Sequence, residues 1–263
     1  MSLTLFEKIN QELSSFTKEL AYHVVGDPLV LSNLHEYLDI SFKHQLKVNL
    51  TTAANNLNKS QFNTLIHETV KQINFSINSF NANDFKKDID EYLNPIFDFC
   101  QYVLEQNANL FINLRIWNLD DSHSAKEFNR IVFDKANKYF NSKINAEDIY
   151  EQRPKNIRVA KKIFFNFDDY FEWPSLNNSH VSSKGFCYGL DSHFGILANG
   201  DVIPCCLDKD AIINLGNTSN DTLEAVLTSK RVKSIQDNFK KGIVSEELCQ
   251  KCTYRTRFNN KLI

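Results

Sequence analysis

The chain has 263 residues, 42% hydrophobic and 24% charged, with a formal net charge of −2. That length suits one large domain or a domain with a smaller appendage, and the charge balance gives no electrostatic case for nucleic acid or an anionic membrane as partner. There is no apolar run of about 20 residues to span a bilayer and no basic-then-apolar start of a secretory signal, so the chain reads as cytoplasmic. In that compartment clustered cysteines favour metal over disulfides.

Taken in order, the first part alternates helix and strand. Thr4 and Glu7 have capping-box spacing and open a helix expected to reach about Glu19. The apolar run Leu20–Val25, stopped by Gly26-Asp27-Pro28, predicts a strand buried on both faces. There follow a helix over Leu31–His44, a strand over Lys47–Thr52, a helix over Ser60–Val70 and a strand over Gln72–Asn78. A helix over Asp84–Gln106, a strand over Leu110–Asn118, a helix over Ser122–Asn141 and a strand over Lys162–Phe167 complete this part. Each strand is preceded by a helix, a pattern whose usual outcome is an α/β fold with parallel strands and helical crossovers. The pattern begins on a helix, as though a first strand and the loop after it were missing.

Glycine usage then changes. Residues 1–184 contain one glycine, Gly26, and residues 185–263 contain the other six. The shift marks a turn-rich module, with the boundary placed near Trp173-Pro174 and Asn177-Asn178-Ser179 read as linker, giving domains 1–173 and 174–263. His193–Ala198 and Asp201–Cys206 flank Asn199-Gly200, which predicts a hairpin with a type I′ turn. Asp221 or Thr222 caps a helix, or a broken pair of helices, running to about Lys241.

Cys187, Cys205, Cys206 and the pair Cys249-x-x-Cys252 account for five of the six cysteines. Two single cysteines plus one C-x-x-C pair make a soft-metal donor set suited to zinc or iron–sulfur. A zinc ribbon usually offers two C-x-x-C knuckles, so one pair with two singles fits a cluster better. Adjacent strand residues point to opposite faces, so only one of Cys205 and Cys206 easily faces a metal shared with Cys187; the Gly200-x-x-x-x-Cys205 spacing assigns Cys205 as ligand and leaves Cys206 as a small buried residue or substitute ligand. The sixth cysteine, Cys100, shares a helical stripe with Leu93, Ile96, Phe97, Val103 and Leu104 and reads as core packing. Asp120-Asp121 and Asp168-Asp169 are paired carboxylates at strand ends, read as solvated caps.

Cys187, then Ile196-Leu-Ala-Asn-Gly-Asp-Val-Ile-Pro-Cys-Cys206, Asn214-Leu-Gly-Asn-Thr218, Thr222-Leu-Glu-Ala-Val-Leu227 and Cys249-x-x-Cys252 together resemble a SPASM domain. That is the auxiliary iron–sulfur module behind radical S-adenosylmethionine (SAM) enzymes. The resemblance implies an auxiliary four-iron, four-sulfide (4Fe–4S) cluster on Cys187, Cys205, Cys249 and Cys252. Upstream, Val25-Gly26-Asp27-Pro28-Leu29 is similar to the Gly-Gly-Glu-Pro-like turn that meets the SAM amino group in that family. Ser76 resembles the strand-end serine that reaches the SAM ribose, and Arg115 the basic residue near its carboxylate. Thr51-Thr52-Ala53 stands where the family often has Thr-Asn-Gly. The implied fold is a partial (β/α) barrel lacking its first strand, followed by a small module with a hairpin and helix.

The family's C-x-x-x-C-x-x-C, which binds the SAM-cleaving cluster, does not occur in these residues. SAM binding is therefore expected to be weak or absent in the chain as it stands. By resemblance, a full-length form would generate a 5′-deoxyadenosyl radical and modify a peptide or small molecule, with an electron-donor protein as partner. The alternative is a non-catalytic Cys₄ scaffold, for zinc or iron–sulfur, on a degenerate barrel.

Overall fold

Alternation of apolar and polar residues along Lys47–Thr52 and Phe111–Trp117 gives strands with one buried and one half-buried face. The protein is described by a computed structural model covering residues 1–83, 85–120 and 125–261. Its contacts divide the chain into two units, Thr17–Tyr170, and Met1–Phe16 together with Phe171–Ile263. The sequence reading put the first helix with the sheet; the contacts put it with the cysteines.

The Thr17–Tyr170 unit is a six-stranded sheet of β1 (Glu19–Tyr22), β2 (Lys47–Thr52), β3 (Val70–Ser76), β4 (Phe111–Trp117), β5 (Asn156–Ala160) and β6 (Ile163–Asp168). The order is β1-β2-β3-β4-β6-β5. All neighbours run parallel except β5, which pairs antiparallel with β6. Helices Leu34–Lys43, Ile89–Glu105 and Ala125–Phe140 are the long connections. One sheet face, with Leu50, Ile73, Phe75, Leu114, Ile116 and Phe165, packs with Leu38, Leu93, Phe97, Phe99 and Phe133 in a single core. Cys100 lies in that core, and burial pushes its thiol pKa well up, as expected of an inert packing residue.

The other face is different. It carries Asn49, Thr51, Gln72, Asn74, Asn113, Arg115 and Asn166 on neighbouring strands. A parallel sheet covered by helices on both faces reads as continuous apolar runs. Here alternation shows that helices cover one face only, as in a barrel wall.

Several elements differ from the sequence reading. β1 ends at Tyr22, short of Val25, because Val24 takes φ 120° and Gly26 φ 89°, outside strand geometry. The first helix is Leu3–Leu13, capped by Ser2, whose hydroxyl accepts from the Leu5 N–H; Thr4 and Glu7 are not its capping box. Capping boxes form instead at Asn58 with Gln61 and at Asp88 with Glu91, the latter starting the helix at Ile89. The expected starts at Asp84 and Ser122 lie outside the described residues. The edge strand β5 and the helix Ala146–Gln152 were not expected.

In the second unit, β7 (Gly195–Ile196) and β8 (Val202–Ile203) form the hairpin. Its turn is not type I′. The Gly200 N–H donates to Leu197 O at 2.9 Å, and Gly200 alone in the turn takes positive φ, at 93°. A Cβ there would stand 2.9 Å from Asn217 Oδ1 and displace that side chain, and the backbone conformation is one that favours glycine. Helices Leu223–Leu227 and Lys230–Lys240 are the broken pair, capped by Thr222 and Ser229. The short helix Glu247–Gln250 and a 3₁₀ segment, Tyr254–Lys261, follow. The Leu3–Leu13 helix docks here: Lys8 Nζ donates to the carbonyls of Thr218 and Asp221, and Glu12 accepts from the Leu223 N–H at 2.5 Å.

Candidate metal centre and the polar face of the sheet

Cys187 lies in an extended loop, Cys205 and Cys206 in a turn after Pro204, Cys249 in the Glu247–Gln250 helix and Cys252 just past it. All five line one cavity of about 60 Å³, with Ile213, Leu248, Tyr254 and Phe258 among its other walls. The strand-alternation argument for Cys205 over Cys206 does not hold, because β8 ends at Ile203 and both residues sit in the turn beyond it. The Cys249 thiol feels Cys205, Cys187 and Cys252, and the Cys205 thiol feels Cys187 and Cys252 besides its neighbour Cys206.

Burial is the largest influence on these four thiols and pushes each pKa up, Cys205 to about 12. Backbone N–H groups act the other way: Gly189 and Tyr188 on Cys187, Leu207 on Cys205, and Arg255 and Tyr254 on Cys252. The Gly189 N–H stands 3.4 Å from Cys187 Sγ. Such a set stays protonated until a cation displaces the protons, and its folding is then coupled to metal binding. Among the described residues, no three His, Cys, Asp or Glu side chains converge on a point that would hold a single ion. A mononuclear zinc needs four sulfurs each about 2.3 Å from one centre. These thiols stand around a cavity instead, with apolar walls and N–H groups aimed at sulfur, an arrangement that fits a polynuclear sulfide cluster.

The residues expected to meet SAM lie at or just beyond the strand ends of the sheet unit. Gly26 follows β1, and its φ of 89° is one that favours glycine. Pro28 is buried at the start of a 3₁₀ turn, and Asp27 caps that turn. The Asp27 carboxylate accepts from Thr52 Oγ1 at 2.8 and 2.7 Å, from the Ala53 N–H at 2.8 Å and from the Leu29 N–H at 2.9 Å. It braces the end of β1 against the end of β2. Tyr92, buried and missed by sequence reasoning, extends the brace: its hydroxyl donates to Ala53 O at 2.9 Å, and burial foremost, then Asp27, pushes its pKa up. No sequence signal marks it, since it sits in an ordinary amphipathic helix.

Ser76 and Arg115 are brought together as cross-strand partners of β3 and β4. Arg115 stacks on Trp117, 4.6 Å from the ring centre. Beside them an amide ladder crosses the polar face: Gln72 and Asn113 both donate to Asn74 Oδ1, at 2.8 and 3.0 Å, and Trp117 donates to Asn166 Oδ1 at 2.7 Å. The paired aspartates are structural: Asp169 pairs with Arg153, and Asp120 accepts from the Tyr170 N–H at 3.2 Å. Asp121 lies outside the described residues.

Residues 187–253 match the SPASM family, described as an iron–sulfur cluster-binding domain. No curated protein sequence matches the chain. Among solved structures, BtrN in complex with AdoMet and 2-DOIA is similar at 14% identity and a TM-score of 0.57, covering 96% of this chain and 80% of that one. The structure of anSMEcpe with bound AdoMet and the Cp18Cys peptide is similar at 14% identity and a TM-score of 0.56, over 98% of this chain and 80% of that one. Streptococcus suis SuiB is similar at 15% identity and a TM-score of 0.56, over 90% of this chain and 62% of that one. The chain thus carries a SPASM match over the segment that holds its clustered cysteines, and it shares the fold of these solved structures.

Proposed function

We propose that the chain is a radical SAM/SPASM protein whose C-terminal module holds an auxiliary 4Fe–4S cluster on Cys187, Cys205, Cys249 and Cys252. The observation that carries the reading is the set of four thiols around one apolar-walled cavity, inside the segment that matches the SPASM family. In the sheet unit, the Gly26 backbone, Ser76 and Arg115 are the groups proposed to meet the SAM amino group, ribose and carboxylate. Asp27 and Pro28 act by fixing the turn that presents Gly26.

A bound SAM-cleaving cluster supplies the 5′-deoxyadenosyl radical, and it needs an iron left open by its protein ligands. Four thiolates close the auxiliary site, and Cys100 is alone in the apolar core. Radical generation therefore draws its cysteine trio from outside these 263 residues. A substrate that is a peptide or a polar small molecule is proposed by analogy with anSMEcpe, solved with a bound peptide, and BtrN, solved with 2-DOIA. A cytoplasmic setting and a protein electron donor complete the proposal.

One observation favours the non-catalytic scaffold as second reading. The Asp27 carboxylate is committed to Thr52, Ala53 and Leu29, which makes the turn a structural brace. Iron, sulfide and zinc analysis of anaerobically purified protein separates the two. About one 4Fe–4S cluster per chain supports the iron–sulfur reading. Stoichiometric zinc without visible absorbance would sink it and leave the scaffold.

A further inference from the structure

Arg255 is 1% exposed, and it heads the fully buried side chains by size. A guanidinium does not lose its proton in a protein, so a full positive charge lies inside the module. Its partners do not neutralise it. Nε donates to Cys249 O at 3.2 Å, Nη1 to Lys184 O at 3.1 Å and Nη2 to Ser182 O at 2.9 Å. All three acceptors are uncharged carbonyls, and among the described residues no carboxylate pairs with it. Asp208, the acid in the same cavity wall, is turned to the Ile212 and Ile213 N–H groups, each at 2.8 Å. A buried charge without an opposite charge is strongly unfavourable. Three of the five guanidinium N–H groups are used, and Arg255 is among the residues that line the cavity with the cysteines.

We propose that Arg255 is the fixed counter-cation of the cluster held by Cys187, Cys205, Cys249 and Cys252, and that it raises the cluster's reduction potential. The inference rests on the iron–sulfur reading above. Thiolate-ligated clusters carry net negative charge, and adding one electron from an external reductant adds one more negative charge. A permanent positive charge at the cavity wall favours that reduced state, and charge near a cluster is one of the levers on its potential. Arg255 exchanges no proton in the step. Through Ser182 and Lys184 it also ties the chain after Cys252 to the segment leading into Cys187, so the charge is held at two of the three ligand-bearing segments.

The test is a redox titration of the anaerobically reconstituted full chain, reduced with dithionite or titanium(III) citrate and followed by the reduced-cluster EPR signal and iron content. The variants are Arg255→Gln, Arg255→Lys and, as a control, Arg257→Gln, whose guanidinium stacks over Tyr254 4.8 Å from the ring centre. Arg255→Gln is expected to shift the one-electron equilibrium at least tenfold against reduction, about 59 mV. Arg255→Lys and Arg257→Gln are expected to stay near wild type. An Arg255→Gln protein with a full cluster at the wild-type potential overturns the inference and leaves the iron–sulfur reading intact. If Arg255→Gln fails to hold iron, Arg255→Lys decides. A full cluster at the wild-type potential supports the charge role, and loss of iron there too shows that shape alone matters and overturns it. Zinc in place of iron in the wild type overturns both the inference and the reading beneath it.

Discussion

The two units bury opposite kinds of material. The sheet unit buries Phe75, Phe97, Phe99, Phe133 and Phe165 in one apolar cluster, and its thiol, Cys100, is ordinary packing. The cysteine module buries Arg255 and Asp208 and draws five cysteines around a cavity, over short strands of two residues each. A unit of the first kind is held by area removed from water, on the order of 1.5–3 kcal/mol per large side chain. A unit of the second kind needs a staple, because its small core leaves charges and thiols to be compensated. The difference teaches where a cofactor would be structural as well as chemical: in a module of the second kind stability would follow occupancy of the site, whereas the sheet is held by its apolar core.

The largest expected effect tests that division directly. Removing the metal should release the module while the sheet persists, so limited proteolysis of metal-free protein should cut within 171–263 and spare a core within 17–170. Cys187→Ala, Cys205→Ala, Cys249→Ala and Cys252→Ala should each abolish iron binding, and Cys206→Ala should keep most of it, as read by iron per chain. Metal loss in Cys206→Ala with retention in Cys205→Ala would exchange their roles. A metal-free module as resistant to protease as the loaded one would break the comparison itself.

Next in size, Leu114→Ala in the sheet core should cost about 2–5 kcal/mol, measured by urea unfolding, with iron per folded chain unchanged. A proportional loss of iron would show that the units are not energetically separate. Asp27→Ala removes the acceptor of the Thr52 and Ala53 bonds and should cost about 1–3 kcal/mol, again without touching iron.

The smallest effect is at the rim of the sheet. Lys71 holds Glu19 in an exposed pair that, with Asn49, lowers the Glu19 pKa. A depressed acid stabilises above its unfolded pKa, and the contribution fades as pH falls through the folded value. Lys71→Met should therefore cost under about 1 kcal/mol at neutral pH and nothing in strong acid, where wild type and variant converge.

Much of the sheet was legible because burial writes period two into strands. Lys47–Thr52 was read to the residue, and Cys100 was placed by its helical stripe. β5 was not legible. It is an edge strand, half exposed, turned back by Lys161 with φ 21°, and neither Lys161 nor Lys162 carries a turn signal. The hairpin was found from Asn199-Gly200, yet its turn type was not, since both type I′ and the observed turn want glycine at Gly200. The cysteines marked the cavity that five of them line, but the strand-alternation argument about Cys205 and Cys206 failed, because the strand ends two residues before Cys205. Arg255 gave no signal, because sequence shows charge and conceals burial. Tyr92 was silent for the same reason.

The docking of the Leu3–Leu13 helix has a consequence in time. Lys8 meets Thr218 across 210 residues of chain, and Glu12 meets Leu223 across 211. During synthesis that helix is made before the sheet and finds no partner until the cysteine module has followed, while the sheet between can already assemble. The helix is too short to persist alone in water. It should stay frayed on the ribosome and lock only when the cysteine module has formed. A fluorophore at Ser2 would then report the closing of a module far along the sequence: a clock built into one helix and struck by a unit made long after it.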